Sequence, residues 1–151
     1  MKVLLALFVL ILLYLVMIIP RFRKPEHDML LEHYYAHRGL HDLKKGIPEN
    51  SMTAFRRAVE NGFGIEADVR LTGDGVPIIF HDATLSRICG IDRRVDEHTL
   101  AELKEMSLCG TGERIPTFQE FLDLVAGRVP LIIEIKMEKR DDHLIAAADR
   151  L

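Results

Sequence analysis

Residues 64–82 read GIEADVRLTGDGVPIIFHD, and the alternation within this stretch decides the fold. Side chains of an extended strand point to opposite faces in turn, so Ile65, Ala67 and Val69 share one face while Glu66 and Asp68 share the other. Residues 72–75 (TGDG) are a turn signal, because Asp-Gly supplies the positive-φ positions of a tight reversal, and the apolar run at 76–80 reads as the returning strand. That strand ends in His81 and Asp82. Either strand alone reads as an edge kept soluble by its charges. The hairpin brings two carboxylates and an imidazole into one neighbourhood, the groups that metal-assisted acid and base chemistry uses.

Towards the N-terminus, residues 34–39 (YYAHRG) form a second apolar strand that also ends in a histidine, His37, followed by Arg38. Residues 40–47 are polar and loop-like. Residues 48–51 (PENS) then open a helix, with Asn50 or Ser51 as its cap, Met52, Phe55 and Val59 facing inward and Gly62 closing it. Strand, helix, strand is a right-handed βαβ unit by default. After Asp82 the period is lost over residues 83–96. Thr99-x-x-Glu102 is a capping box for a short helix to about residue 106, and Thr117-x-x-Glu120 is another. The second helix turns Phe118, Phe121, Leu122 and Val125 inward and ends at Gly127. Gly110 and Gly112 form only GTG, with no strand before them, which argues against a nucleotide loop. Residues 130–136 (PLIIEIK) are a further strand with Glu134 and Lys136 on one face, and residues 141–151 begin another helix.

The chain has 151 residues, 48% hydrophobic and 28% charged, which suits one globular domain. A net charge of −3 and a mixed-sign run at residues 138–142 exclude a nucleic-acid surface. Cys89 and Cys109 lack metal-ligand spacing and read as ordinary thiols. Residues 3–19 carry no charge, and residues 1–20 read as a transmembrane helix, with a juxtamembrane linker at 21–33 and the catalytic-type domain at 34–151. As a helix the apolar run covers about 25 Å against a hydrocarbon core of roughly 30 Å, so it spans only with local thinning. No small-x-small cleavage site follows, so an uncleaved anchor is expected. Arg21, Arg23 and Lys24 outnumber Lys2, which puts the domain on the cytoplasmic side of the cell membrane.

The polar groups at strand ends are His37, Arg38, Glu66, Asp68, His81, Glu134 and Lys136. Strands alternating with helices, with such groups at the carboxyl ends, are the arrangement of a (β/α) barrel. Glu66, Asp68 and Glu134 make an all-oxygen set suited to Mg²⁺ or Ca²⁺. Arg38 and Lys136 suit an anion. A divalent cation and two basic side chains at one spot imply a phosphate ester, with His37 and His81 as base and acid. Glu49 and Asn50 read as cap and loop residues, and His33, His41, His98 and His143 as surface residues.

Taken in order, His37-Arg38-Gly39, Pro48-Glu49-Asn50-Ser51, Glu66-x-Asp68, Thr72-Gly73-Asp74-Gly75, His81-Asp82 and Glu134-Ile135-Lys136 resemble the glycerophosphodiester phosphodiesterases, from about residue 34 to the end. Ile115-Pro116-Thr117 before a helix is also similar to that family. The resemblance implies an α/β fold, a TIM (β/α)8-type barrel of the PLC-like phosphodiesterase kind, with a small insertion after Asp82. It implies a metal on Glu66, Asp68 and Glu134, an acid/base pair in His37 and His81, and phosphate binding by Arg38 and Lys136. The implied reaction is hydrolysis of glycerophosphodiesters to glycerol 3-phosphate and an alcohol. Phospholipase-type phosphodiesterases of the same barrel are the nearest competitor, with lysophospholipids as plausible substrates. Such a barrel takes about 250 residues. The expectation is therefore the first three or so βα units of the barrel, with an open sheet edge that favours self-association. A catalytically silent, membrane-tethered binding or assembly module is the alternative from another class.

Overall fold

The computed structural model describes residues 2–18 and 31–136. Chain contacts divide it into two units, residues 1–32 and 33–151. In the first, helix α1 (Lys2–Ile18) has 17 residues. Its large apolar side chains from Leu7 to Ile18 are exposed. At 1.5 Å per residue the described part of α1 covers about 25 Å. No helix among the described residues is long and apolar enough to cross a membrane, and the transmembrane helix expected at residues 1–20 includes residues 1, 19 and 20, which lie outside them. The basic cluster at Arg21, Arg23 and Lys24, most of the linker, the run at 138–142, His143 and the helix expected over 141–151 lie outside the described residues.

The second unit is built on β2 (Gly64–Leu71). β1 (Tyr35–His37) runs parallel to its first residues, and β4 (Leu131–Ile135) is parallel to it from Ile65 to Val69. β3 (Pro77–Ile79) returns antiparallel against Val69, Arg70 and Leu71. Because Ile65 and Glu66 pair with both β1 and β4, and Val69 with both β3 and β4, β1 and β3 share one edge of β2 and β4 takes the other. The hairpin turn closes as its sequence requires, with Gly75 at φ 80° and its N–H donating to the Thr72 carbonyl.

Helix α2 (Met52–Glu60) starts at Ser51, whose hydroxyl accepts from the Ala54 N–H at 3.2 Å. Helix α5 (Phe118–Val125) starts at Thr117 with the expected capping box, as does α4 (Leu100–Lys104) at Thr99. Two differences mark the ends. α4 stops at Lys104, before residue 106. Ala126, at φ 47°, takes the first left-handed position after α5, ahead of Gly127.

The apolar face of β2 packs with Ala36 of β1 against Phe55, Ala58 and Val59 of α2 and Phe118, Phe121 and Val125 of α5. Phe55 and Phe121 meet at a centroid separation of 4.5 Å, tilted by 60°. The irregular stretch after Asp82, which includes α3 (Ser86–Cys89), has a core of its own. Leu85, Ile88, Val95, Leu103, Leu108 and Ile115 gather there on Ile78 and Phe80. β3 divides the two cores by the same alternation that governs β2, since Ile79 joins the first core while Ile78 and Phe80 join the second.

Phe121 is fully buried, so Phe121→Ala is expected to cost about 3–5 kcal/mol through lost transfer energy and the cavity left beside Phe55. Chemical denaturation of the two chains measures it; a loss under about 1 kcal/mol would contradict this packing.

Candidate active site

The site begins with the polar face of β2. Asp68 is only 1% exposed, and a carboxylate removed from water to that degree must be compensated. Three segments supply the compensation. Arg38, just past β1, brings Nε to 3.4 Å of Asp68 Oδ2. Asn50, in the loop before α2, donates from Nδ2 to the same oxygen at 3.2 Å. Lys136, just past β4, brings Nζ to 3.2 Å of Oδ1. The two cationic contacts are charge pairings rather than aligned hydrogen bonds, and Asp68 Oδ1, Arg38 Nε and Asn50 Oδ1 are buried without a hydrogen bond among the described residues.

Glu66 and Glu134 flank Asp68. One oxygen from each of the three carboxylates lies within 4.8 Å of the others, a spacing that fits oxygens arranged around one hard cation at about 2.1–2.5 Å each. Lys136 also reaches Glu134 at 2.6 Å. Burial alone would lower the Lys136 pKa, but the Glu134 and Asp68 carboxylates outweigh it and hold the ammonium above its ordinary value. His37 Nε2 stands 3.9 Å from Glu66 Oε2, with the imidazole 69% exposed.

His81 joins through a chain of charges rather than directly. Its Nδ1 lies 2.6 Å from Asp82 Oδ1. Arg87 of α3 donates to Asp82 from Nε at 2.7 Å and to Glu49 from Nη1 and Nη2 at 2.9 and 2.7 Å. Glu49 Oε1 also accepts from Arg38 Nη1 at 2.8 Å. The Arg87 guanidinium holds the Asp82 carboxyl down to about 2. Burial pushes the Glu49 carboxyl up, yet the hydrogen bonds from Arg87 and Arg38 prevail and leave it at about 2.

Six of the seven residues expected from the sequence therefore meet directly: His37, Arg38, Glu66, Asp68, Glu134 and Lys136. Glu49 and Asn50 are corrected from cap and loop residues to partners of Arg38 and Asp68, and Ser51 alone caps α2. Their place in the PENS motif was the available signal. Arg87 had no such signal, because its partner Glu49 lies 38 positions away. His98 is also corrected: it is half-buried, and its carbonyl accepts the Gly73 N–H at 2.7 Å, beneath the hairpin turn. His33 and His41 are exposed.

Residues 37–147 match the Glycerophosphoryl diester phosphodiesterase family. The chain belongs to that family. A curated glycerophosphodiester phosphodiesterase of Caldanaerobacter subterraneus subsp. tengcongensis is 42% identical over 110 residues, covering 67% of this chain and 44% of that protein. Among solved structures, a phosphodiesterase of Oleispira antarctica in complex with the product sn-glycerol-3-phosphate is similar at a TM-score of 0.69, with 34% identity over 78% of this chain and 50% of the other. A glycerophosphodiester phosphodiesterase of Thermotoga maritima gives 0.63 with 32% identity, over 78% and 48%. The fold is thus of the TIM-barrel-like phosphodiesterase type, present as a partial sheet of parallel strands, and the chain spans about half the length of the relatives it matches.

Glu49 and Asp82 both carry depressed pKa values, from ordinary values of 4.5 and 3.8. The stability that their pairing contributes is present above those ordinary values and is lost as pH falls from about 5 towards 2. With Arg87 half exposed, screening limits the contribution of each to about 1–2 kcal/mol. Glu49→Gln is accordingly expected to destabilise the chain by about that much at neutral pH and by almost nothing near pH 2. Denaturation midpoints at both pH values check this, and an equal loss at both would contradict it.

Proposed function

We propose that this chain hydrolyses glycerophosphodiesters to glycerol 3-phosphate and an alcohol, in a metal-dependent reaction at the polar face of β2. The observation that supports this reading is the convergence of Glu66, Asp68 and Glu134 with Arg38 and Lys136 in a member of this family. The donor set is all oxygen, and the buried Asp68 Oδ1 makes no hydrogen bond among the described residues, so the residues fit a hard divalent cation such as Mg²⁺ or Ca²⁺. Glu66, Asp68 and Glu134 would hold it, and when bound it supplies Lewis-acid polarisation of a phosphoryl oxygen.

Arg38 and Lys136 orient the phosphate oxygens of the substrate. Of the two histidines, one removes a proton from the attacking oxygen and the other returns a proton to the departing alcohol oxygen as its P–O bond breaks. The His81 Nδ1–H donates to Asp82, because an ionised carboxylate can only accept, which leaves Nε2 for the proton transfer. We also infer that α1, whose described side chains are apolar and exposed, attaches the chain to the cell membrane with residues 34–151 on the cytoplasmic side, where lysophospholipids are within reach.

A second reading, a silent module that assembles through its sheet, draws on β4, where Ile132 and Ile135 are exposed. Turnover distinguishes the two. The purified 151-residue chain is expected to release glycerol 3-phosphate only with a divalent cation, and His37→Ala and Glu66→Ala are each expected to lower kcat on the order of 100-fold or more. Turnover unchanged in both variants would sink the hydrolase reading, and a folded oligomer with no turnover would favour the second.

A further inference from the structure

Arg87 has no place in the proposed chemistry, yet it makes the most extensive set of charged hydrogen bonds in the neighbourhood. Nε and Nη2 reach the two Asp82 oxygens at 2.7 and 3.0 Å, while Nη1 and Nη2 reach the two Glu49 oxygens at 2.9 and 2.7 Å. All three guanidinium nitrogens are engaged, and both carboxylates are gripped edge-on, the fork geometry that a lysine cannot reproduce. Each carboxylate passes the constraint on. Asp82 Oδ1 accepts from His81 Nδ1 at 2.6 Å, and Glu49 Oε1 accepts from Arg38 Nη1 at 2.8 Å.

The His81 backbone is fixed separately, since its carbonyl accepts from Arg70 Nε at 2.8 Å. What remains free is rotation of the imidazole and the choice of which ring nitrogen holds the proton. The Asp82 carboxylate decides both, and among the described residues Arg87 is the side chain besides His81 that holds Asp82 in place. The Arg87 side chain is 48% exposed, so screening keeps its stabilising role modest.

We propose that Arg87 is a positioning residue, which by holding Asp82 and Glu49 together locks His81 as the Nδ1–H tautomer and ties it in register with the phosphate-binding Arg38. This rests on the reading of His81 and Arg38 given above. Arg87 thereby couples the segment after β3, with its separate core, to the face of β2. Loss of Arg87 acts on both ends of the chain of charges: proton transfer weakens through His81, and substrate binding weakens through Arg38.

The test is long-range ¹H–¹⁵N correlation spectroscopy of the full, histidine-labelled chain in detergent, with His81 assigned through His81→Gln, alongside steady-state turnover of a glycerophosphodiester. Wild type is expected to show the Nδ1–H tautomer alone. Arg87→Ala is expected to show a mixture with the Nε2–H form, a kcat loss on the order of 10- to 100-fold and a raised KM, as when an outer partner of a functional histidine is removed. Arg87→Lys, which keeps the charge but not the fork, is expected to show the same mixture. An unchanged tautomer in folded Arg87→Ala, full rescue by Arg87→Lys, or unfolding of both variants would each overturn the proposal in favour of a merely structural contact. A wild-type chain without turnover would overturn the proposed hydrolysis, while the tautomer comparison would still decide the role of Arg87.

Discussion

The burial of the Asp68 carboxylate organises this chain. An ionised group taken out of water is tolerated only with charge and hydrogen-bonding partners arranged around it. Here those partners come from three places far apart in sequence, Arg38, Asn50 and Lys136. Each stands at the end of a segment that the core already fixes. Ala36 holds β1 against β2, Phe55 and Val59 hold α2, and the pairing of β4 with β2 from Ile65 to Val69 carries Lys136 to its position. The apolar face of β2 supplies the driving force for this assembly, and the polar face of the same strand receives the result. The alternation of one strand makes the two inseparable.

The backbone records how tightly this convergence is held. Arg38 and Asn50 both have left-handed φ values, 58° and 53°, a conformation that costs a non-glycine residue on the order of 1 kcal/mol or more. They are bonded to each other, Asn50 N–H to the Arg38 carbonyl at 2.9 Å, and Arg38 N–H donates in turn to the Glu66 carbonyl at 2.9 Å. Gly39 follows at φ 80°, where an added Cβ would come within 2.9 Å of Ala54 Cβ. A bulkier residue at position 39 would push α2 off the strand that carries Arg38. The strain therefore sits where a rigid presentation of a guanidinium is most useful.

What was legible in the sequence follows from range. The alternation of residues 64–71, the two capping boxes, the hairpin turn and the pairing of Glu66 with Asp68 are local patterns, and local patterns survive folding. Glu134 was legible because its strand repeats the grammar of β2. The separate core after Asp82 was not, because its members come from short turns without a shared period, brought together only by closure of the loop between β3 and α5. The Glu49–Arg87 contact is invisible for the same reason. The end of α5 shows a different limit: a left-handed alanine at 126 precedes the glycine that the sequence marks as the stop.

The charge balance of the site bears on what can bind there. Three carboxylates face two basic side chains, Arg38 and Lys136, and both of these are already committed to carboxylates, Arg38 to Glu49 and Asp68, Lys136 to Asp68 and Glu134. With Glu49 counted, four carboxylates face the two cations, so a phosphodiester anion entering the cluster would meet repulsion as well as attraction. A divalent cation held by Glu66, Asp68 and Glu134 would offset that negative charge. Under the proposed function, cation binding and phosphate binding would then be coupled by simple electrostatics, each strengthening the other by the same factor.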